Sequence, residues 1–365
     1  MKVLILANIG VGLYKFRKEL IEKLVDLNYD IHISLPYDEY FPQLQKLGCE
    51  CIEMSFNRRG KNPLSDINLL RNYIKIMKKI KPDMVLTYTI KPNVYGGIAC
   101  RLLKMPYIAN ITGLGTAIEN AGLLQKLTTL LYKISLKKSS CVFFQNSENM
   151  RFFTEKRIIT TGKHRLIPGS GVNLVAHTFE EYPIDTDKIT FIFIGRIMKS
   201  KGIDELLEAA EKVKKLYPNI KFNIIGSFEE NYSKKIKEYT DIGIINYLSY
   251  QDNVHTFIKD SYAIILPSYY EGTANVLLEA ASTGRPVLAS NVAGCKETFD
   301  EGISGFGFEV KNSESLYNTI IKFIETPYEQ KKLMGIAGRK KMEKEYSRDI
   351  VINAYLEEIN RIIEK

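Results

Sequence analysis

Leu266-Pro267-Ser268-Tyr269-Tyr270-Glu271-Gly272-Thr273-Ala274-Asn275-Val276-Leu277-Leu278-Glu279-Ala280 leaves an apolar run, Tyr262 to Leu266, through a turn of small residues and enters a stretch of helical spacing predicted to begin near Thr273. A short buried strand that hands over to a helix is half of a βαβ unit. The same order recurs on both sides. Upstream, strands are predicted at Ile189 to Ile194, Lys221 to Ile225 and Ile244 to Tyr247, and downstream at Pro286 to Ala289. An earlier series runs through Val3 to Ala7, Ile31 to Leu35, Cys49 to Ser55, Met84 to Thr87, Tyr107 to Ile111, Cys141 to Phe144 and Arg165 to Ile167. Between the two series lie Pro168-Gly169-Ser170-Gly171-Val172-Asn173 and an aperiodic polar segment to about Lys188. The expected fold is α/β, with two doubly wound, Rossmann-like domains facing across a cleft. The expected boundaries are 1–173 for the first domain, 174–188 for a linker and 189–345 for the second domain. A terminal helix over 346–365 can cross back to the first.

The length of 365 residues agrees with two domains, and 45% hydrophobic with 25% charged residues excludes a disordered or collagen-like chain. The net charge of +9 is uneven: residues 1–180 hold 26 basic and 14 acidic side chains, residues 181–365 hold 25 and 28. A basic half suits an anionic partner such as nucleic acid, a phospholipid surface or a phosphorylated substrate, and an ordinary Lys-rich surface fits as well. The five cysteines (Cys49, Cys51, Cys100, Cys141, Cys295) form no CxxC pair, so a reducing compartment is expected. No apolar run reaches the length of a membrane span, and Met1 to Ile9 reads as a buried first strand, not a signal peptide.

Ligands of doubly wound sheets bind at the carboxyl ends of the strands, which directs attention to the loops there. The first, Asn8-Ile9-Gly10-Val11-Gly12-Leu13, could bring backbone amides to an anion through Gly10 and Gly12, though a tight turn without a ligand fits equally. Its third glycine position is Lys15 and no acid ends the second strand, which disfavours a nicotinamide dehydrogenase. In the second domain the amides of Thr273, Ala274, Asn275 and Val276 would head a helix suited to phosphate. Glu271 and Glu279 could hold opposite ends of an elongated ligand, each carboxylate accepting hydroxyl hydrogen bonds as sugars offer them. Gly195-Arg196-Ile197-Met198-Lys199-Ser200-Lys201-Gly202 sets Arg196 and Lys201 at the same end of the sheet, where two cations clamp a diphosphate. Asp185-Thr186-Asp187 lies in the linker and is rejected as a metal site.

The second domain resembles the nucleotide-sugar-binding half of the retaining family 4 glycosyltransferases of the two-domain GT-B type. Glu271 and Glu279 match their E-x7-E pair, Arg196 and Lys201 their Arg-x4-Lys pair, and Gly284-Arg285-Pro286-Val287 and Gly294-Cys295-Lys296-Glu297 resemble the segments that follow. Cys295 departs from a glycine common there. The resemblance implies that Glu279 holds the ribose, Glu271 approaches the transferred sugar, and Arg196 and Lys201 neutralise the diphosphate. It implies front-face attack with retention and no required metal or cofactor beyond the nucleotide-sugar donor, UDP-linked hexose or N-acetylhexosamine.

In the first domain, Tyr14-Lys15-Phe16-Arg17, Tyr88-Thr89-Ile90-Lys91-Pro92-Asn93 and Asn110-Ile111-Thr112-Gly113-Leu114-Gly115 resemble the bacterial transferases that extend undecaprenyl-diphosphate-linked glycans. Tyr14, Arg17, Lys91 and Thr112 are thereby candidate acceptor contacts. The implied function is transfer of a sugar to a lipid-diphosphate-linked glycan at the inner face of the cell membrane, with no nucleic-acid partner. A UDP-sugar epimerase and a non-catalytic nucleotide-sugar or polyanion binder are the alternatives. Two segments could meet the membrane. One is Leu123, Leu127, Leu130, Leu131 and Ile134 flanked by Lys126, Lys133, Lys137 and Lys138; the other is Arg58-Arg59-Gly60-Lys61 with Arg71, Lys75, Lys78, Lys79 and Lys81. Packing of those apolar faces in the core is the competing reading. The four histidines, His32, His164, His177 and His255, show no ligand spacing.

Overall fold

The computed structural model describes residues 1–56, 60, 62–113, 122–159, 162–185 and 188–364, and the chain divides into two compact units. The first comprises Met1–Ser170 and Val351–Lys365, the second Gly171–Ile350. In chain order the first unit contains β1 (Lys2–Leu6), α1 (Gly10–Asp26), β2 (Asp30–Leu35), α2 (Phe41–Lys46), β3 (Glu50–Glu53), α3 (Pro63–Ile80), β4 (Met84–Tyr88), α4 (Gly97–Leu103), β5 (Tyr107–Ile111), α5 (Leu123–Leu136), β6 (Cys141–Phe144), α6 (Ser147–Glu155) and β7 (His164–Leu166). The second contains β8 (Thr190–Ile194), α7 (Ile203–Leu216), β9 (Lys221–Ile225), α8 (Ser233–Asp241), β10 (Asn246–Tyr247), α9 (His255–Lys259), β11 (Ala263–Leu266), α10 (Asn275–Ser282), β12 (Val287–Ser290), β13 (Gly305–Phe308), α11 (Ser313–Glu325) and α12 (Tyr328–Lys341). α13 (Arg348–Ile363) starts in the second unit and ends in the first.

Both sheets are parallel and doubly wound. Their orders are β3-β2-β1-β4-β5-β6-β7 and β10-β9-β8-β11-β12-β13. β1 shows why two faces must be covered: Val3 and Ile5 join one core cluster and Leu4 and Leu6 the other, each at most 1% exposed. α3 follows its sequence signals closely. Asn62 caps it by accepting from the Leu64 N–H at 3.0 Å, Pro63 opens it, and Leu69, Tyr73, Met77 and Ile80 form its buried stripe.

Three elements depart from the sequence reading. β13 lies outside the predicted strands, because Gly-Phe-Gly-Phe lacks an apolar run. Its first glycine is needed where a Cβ at Gly305 would lie 2.2 Å from the Val287 carbonyl oxygen. α10 begins at Asn275, not near Thr273, because the Ala274 N–H is drawn to the Gly294 carbonyl at 2.8 Å. The last helix begins at Arg348, since Met342–Tyr346 forms a separate π turn.

Candidate functional site

β8 and β11 are neighbours in the second sheet, with Ala263 opposite Phe191, so the loops leaving their carboxyl ends meet. That meeting leaves no room for a side chain at Gly202. Its φ is +69°, and a Cβ there would lie 2.1 Å from the Pro267 carbonyl oxygen. The Tyr269 N–H donates to the Ser200 carbonyl at 2.9 Å and ties the loops together. The consequence is a charge pair: Lys201 donates through Nζ to Glu271 Oε1, with the side chains only 17% and 14% exposed. Arg196, in the same loop, stays apart from that pair. Its side chain is 47% exposed and approaches Glu229 at 3.9 Å.

A third loop braces the second. Gly294, at φ +81°, stands where a Cβ would meet the Gly272 carbonyl oxygen at 2.5 Å, and its own N–H donates to Glu297 Oε2 at 2.7 Å. Cys295 next to it has φ −109° and a fully buried side chain, so a non-glycine residue is accommodated there without strain. Burial, with Glu271 nearby, pushes its thiol well above the usual range. Tyr269 donates to Glu205 Oε1 at 2.7 Å, and burial together with that carboxylate raises its phenol.

Of the four amides expected to meet an anion, that of Ala274 is therefore engaged by Gly294. α10 has no side-chain cap, so Asn275 and Val276 head a helix whose first-turn N–H groups can serve a ligand. Thr273 is buried just ahead of them, and the buried Oδ1 of Asn275 has no hydrogen-bond partner. Glu279 lies in a different neighbourhood from Glu271. Its carboxylate is 4.0 Å from His177 Nε2, and the His177 ring packs edge-on against His255 at 5.6 Å. His255 in turn meets Glu180 at 3.1 Å and Thr283 at 3.3 Å. The sequence does not bring the two histidines together; they are 78 residues apart, and no spacing rule joins them.

The first unit rearranges its candidates. The Gly10 N–H donates to Asp38 Oδ2 at 2.6 Å, so the chain's own carboxylate takes the amide expected to face a ligand. Gly12 lies one turn into α1, where an added Cβ would meet only Ile9 at 3.7 Å. Tyr14 stacks obliquely on Tyr40 with centroids 5.6 Å apart. Arg17, expected among the acceptor contacts, is a core residue 4% exposed, donating to the Phe16 carbonyl at 2.8 Å and lying over the Tyr88 and Tyr355 rings. Burial works against its charge, but Tyr355 and Tyr88 outweigh it and its pKa rises. Lys91 pairs with Asp66 Oδ1 at 2.7 Å, and Tyr95 donates to the other oxygen at 2.7 Å. Thr112 follows β5, half-buried. Leu114, Gly115, Thr186, Asp187, Arg58, Arg59 and Lys61 lie outside the described residues; Asp185 is exposed.

The two basic helices also separate. α3 presents Arg71, Lys75, Lys78 and Lys79 to solvent and buries Leu69, Tyr73, Met77 and Ile80, leaving Leu64 and Ile67 exposed near its start. α5 buries Thr128, Tyr132, Ser135 and Leu136 but leaves Leu124, Leu127, Leu130 and Ile134 between 37% and 53% exposed. The side chain of Leu123 lies outside the described set, and Leu131 is half-buried. No helix among the described residues is long and apolar enough to cross a membrane, and no group of three or more His, Cys, Asp or Glu residues there could hold a metal ion.

Two family models match the chain: Glycosyl transferase 4-like over residues 2–146 and Glycosyl transferases group 1 over residues 176–341. The N,N'-diacetylbacillosaminyl-diphospho-undecaprenol alpha-1,3-N-acetylgalactosaminyltransferase of Campylobacter jejuni is 26% identical over 100% of this chain and 99% of its own. The UDP-Gal:alpha-D-GlcNAc-diphosphoundecaprenol alpha-1,3-galactosyltransferase of Escherichia coli is 26% identical over 72% of each chain. Among solved structures, HepE of Anabaena in complex with UDP-glucose superposes with a TM-score of 0.80 at 17% identity, covering 99% of both chains.

Proposed function

The chain belongs to the glycosyltransferases, with a 4-like first half and a group 1 second half, and on that premise we propose that it moves a sugar from a UDP-linked donor to a lipid-diphosphate-linked glycan. The observation that carries the reading is the pairing of Lys201 with Glu271 beside the uncapped start of α10. A cation held at that place by a carboxylate and by two interlocked loops needs no reorganisation when charge develops on a leaving diphosphate. Lys201 and Arg196 neutralise that charge, the first-turn amides of α10 share it, Glu279 holds the ribose and Glu271 faces the transferred sugar. Stabilising the departing charge more than the ground state is what accelerates the step. Asn275 and Val276 are the amides we assign to phosphate.

The acceptor side rests on the two relatives above, both named for diphospho-undecaprenol substrates. A polyprenyl acceptor lives in a membrane, so we place the protein at the surface of an anionic leaflet, held by the basic first unit without a spanning helix. Tyr14, Lys91 and Thr112 remain the acceptor contacts we propose. Arg17, in the core, acts through the packing of Tyr88 and Tyr355.

A two-step experiment tests this. Purified protein is melted with UDP, UDP-sugars, other nucleotide sugars and NAD; UDP and at least one UDP-sugar should raise the melting temperature. The stabilising donor is then incubated with a lipid-diphosphate-linked acceptor and product measured by mass. Stabilisation by NAD alone, or hydrolysis of the donor without transfer to any lipid-linked acceptor, overturns the proposal.

A further inference from the structure

The exposed face of α5 runs into a cavity of about 450 Å³ in the first unit, bounded by α4, by the end of α5 and by the chain after α6. Among the described residues its lining holds four cations, Arg101, Lys133, Lys137 and Arg157, and no carboxylate. The scarcity of acid extends along the chain: from Met84 to Ser147 there are seven basic residues and one acid, Glu119. Like charges gathered around one concavity repel one another, and an anion entering it relieves that repulsion.

The rest of the lining indicates which anion. Leu130 and Ile134 border the cavity and belong to the row that continues through Leu127 to Leu124, so cationic groups and exposed apolar surface form one continuous surface. A free inorganic anion would use only the first half of that surface. An amphiphile uses both. The opposite face of α5 is fixed: Tyr132 is 1% exposed with its ring edge-on to Phe153 at 5.2 Å, and Tyr107 donates to the Ser135 carbonyl. Arg101 donates to the Ile134 carbonyl at 3.1 Å, which holds one cation at the rim. The helix therefore presents its leucine row from a rigid base.

We propose that this cavity is a binding site for the phosphate headgroup of an anionic phospholipid, with Lys133, Lys137 and Arg157 on the phosphate and Leu124, Leu127, Leu130 and Ile134 entering the acyl layer. The inference rests on the membrane-surface reading above and makes it specific: attachment occurs at one site on α5, and the lysines of α3 contribute only diffuse attraction.

The test uses the full chain. Flotation with phosphatidylcholine vesicles, with and without phosphatidylglycerol, measures attachment; calorimetry with dihexanoyl phosphatidylglycerol, below its micelle concentration, measures the site. Wild type should float only with the anionic vesicles and bind the short-chain lipid saturably. Lys133→Gln/Lys137→Gln/Arg157→Gln should lose the saturable binding and lower vesicle affinity about a hundredfold, each cation contributing about fivefold. Leu127→Ser/Leu130→Ser should weaken vesicle binding while keeping the headgroup response. UDP affinity should stay within about twofold in both variants, which reports that they fold. Vesicle binding by the triple variant equal to wild type, absence of saturable short-chain binding, or a response to a short polyprenyl diphosphate but not to the phospholipid overturns the headgroup site and leaves the membrane reading standing. Failure of wild type to float at low salt overturns the membrane reading itself.

Discussion

Lys201 and Lys133 meet opposite surroundings: Lys201 donates to Glu271 with both side chains largely shielded, whereas the cavity that Lys133 lines holds, among the described residues, three more cations and no carboxylate. In the second unit, charge is balanced within the chain and positioned by backbone contacts. Around α5 it is left unbalanced. A site that must stabilise a transient charge gains from fixed, internally supported groups. A site that recruits a standing anion gains from an excess of one sign, and that attraction weakens with salt because exposed charges are screened over about 8 Å at physiological ionic strength.

The comparison can be broken first at Lys201. Lys201→Ala is expected to reduce turnover about a hundredfold or more, with a nearly unchanged melting temperature, as for the loss of other groups that meet developing charge. Arg196→Ala, at a half-exposed position, should cost about tenfold under the same assay. Equal effects would show that the internal pairing of Lys201 is irrelevant to its contribution. Gly202→Ala tests the backbone contact that sets the pair. It puts a Cβ 2.1 Å from the Pro267 oxygen at a positive φ and should destabilise the second unit by roughly 2 kcal/mol or more. A melting curve like that of wild type would mean the loops are not interlocked.

Smaller effects sharpen it. Glu279→Ala should weaken UDP about tenfold by calorimetry, roughly the loss of a charge-assisted hydrogen bond, while Glu271→Ala spares UDP and lowers transfer. Equal loss of UDP affinity in both would place the two acids at one end of the ligand. The smallest change belongs to α3. Lys75→Gln/Lys78→Gln/Lys79→Gln should leave vesicle binding within about threefold of wild type, since the exposed apolar residues of that helix, Leu64 and Ile67, lie two or more turns away from these lysines. A loss matching the α5 triple variant would remove the distinction between the two basic helices.

Some of this is legible in the chain and some is not, and the residues show why. The strand at Tyr107–Ile111 and the helix capped by Asn62 follow from local signals alone. β13 escapes them, because its glycines answer to the neighbouring β12, not to their own segment. α10 starts later than its pattern suggests because Gly294, twenty residues downstream, claims the Ala274 N–H.

The candidate site divides along the same line. Spacing alone puts Arg196, Lys201 and Glu271 in loops at the carboxyl ends of strands in one sheet and Glu279 in the helix that follows, since periodicity determines which loops share an edge. Which cation meets which carboxylate depends on distances no local pattern encodes. Lys201 reaches Glu271 while Arg196 turns toward Glu229, and Glu279 gains His177 as a neighbour. In the first unit, sequence determined that α3 and α5 are both basic and amphipathic. Tertiary packing alone decided that α3 buries the stripe from Leu69 to Ile80 and leaves Leu64 and Ile67 outside, while α5 keeps a row from Leu124 to Ile134 exposed, because burial is a property of the partner a face finds.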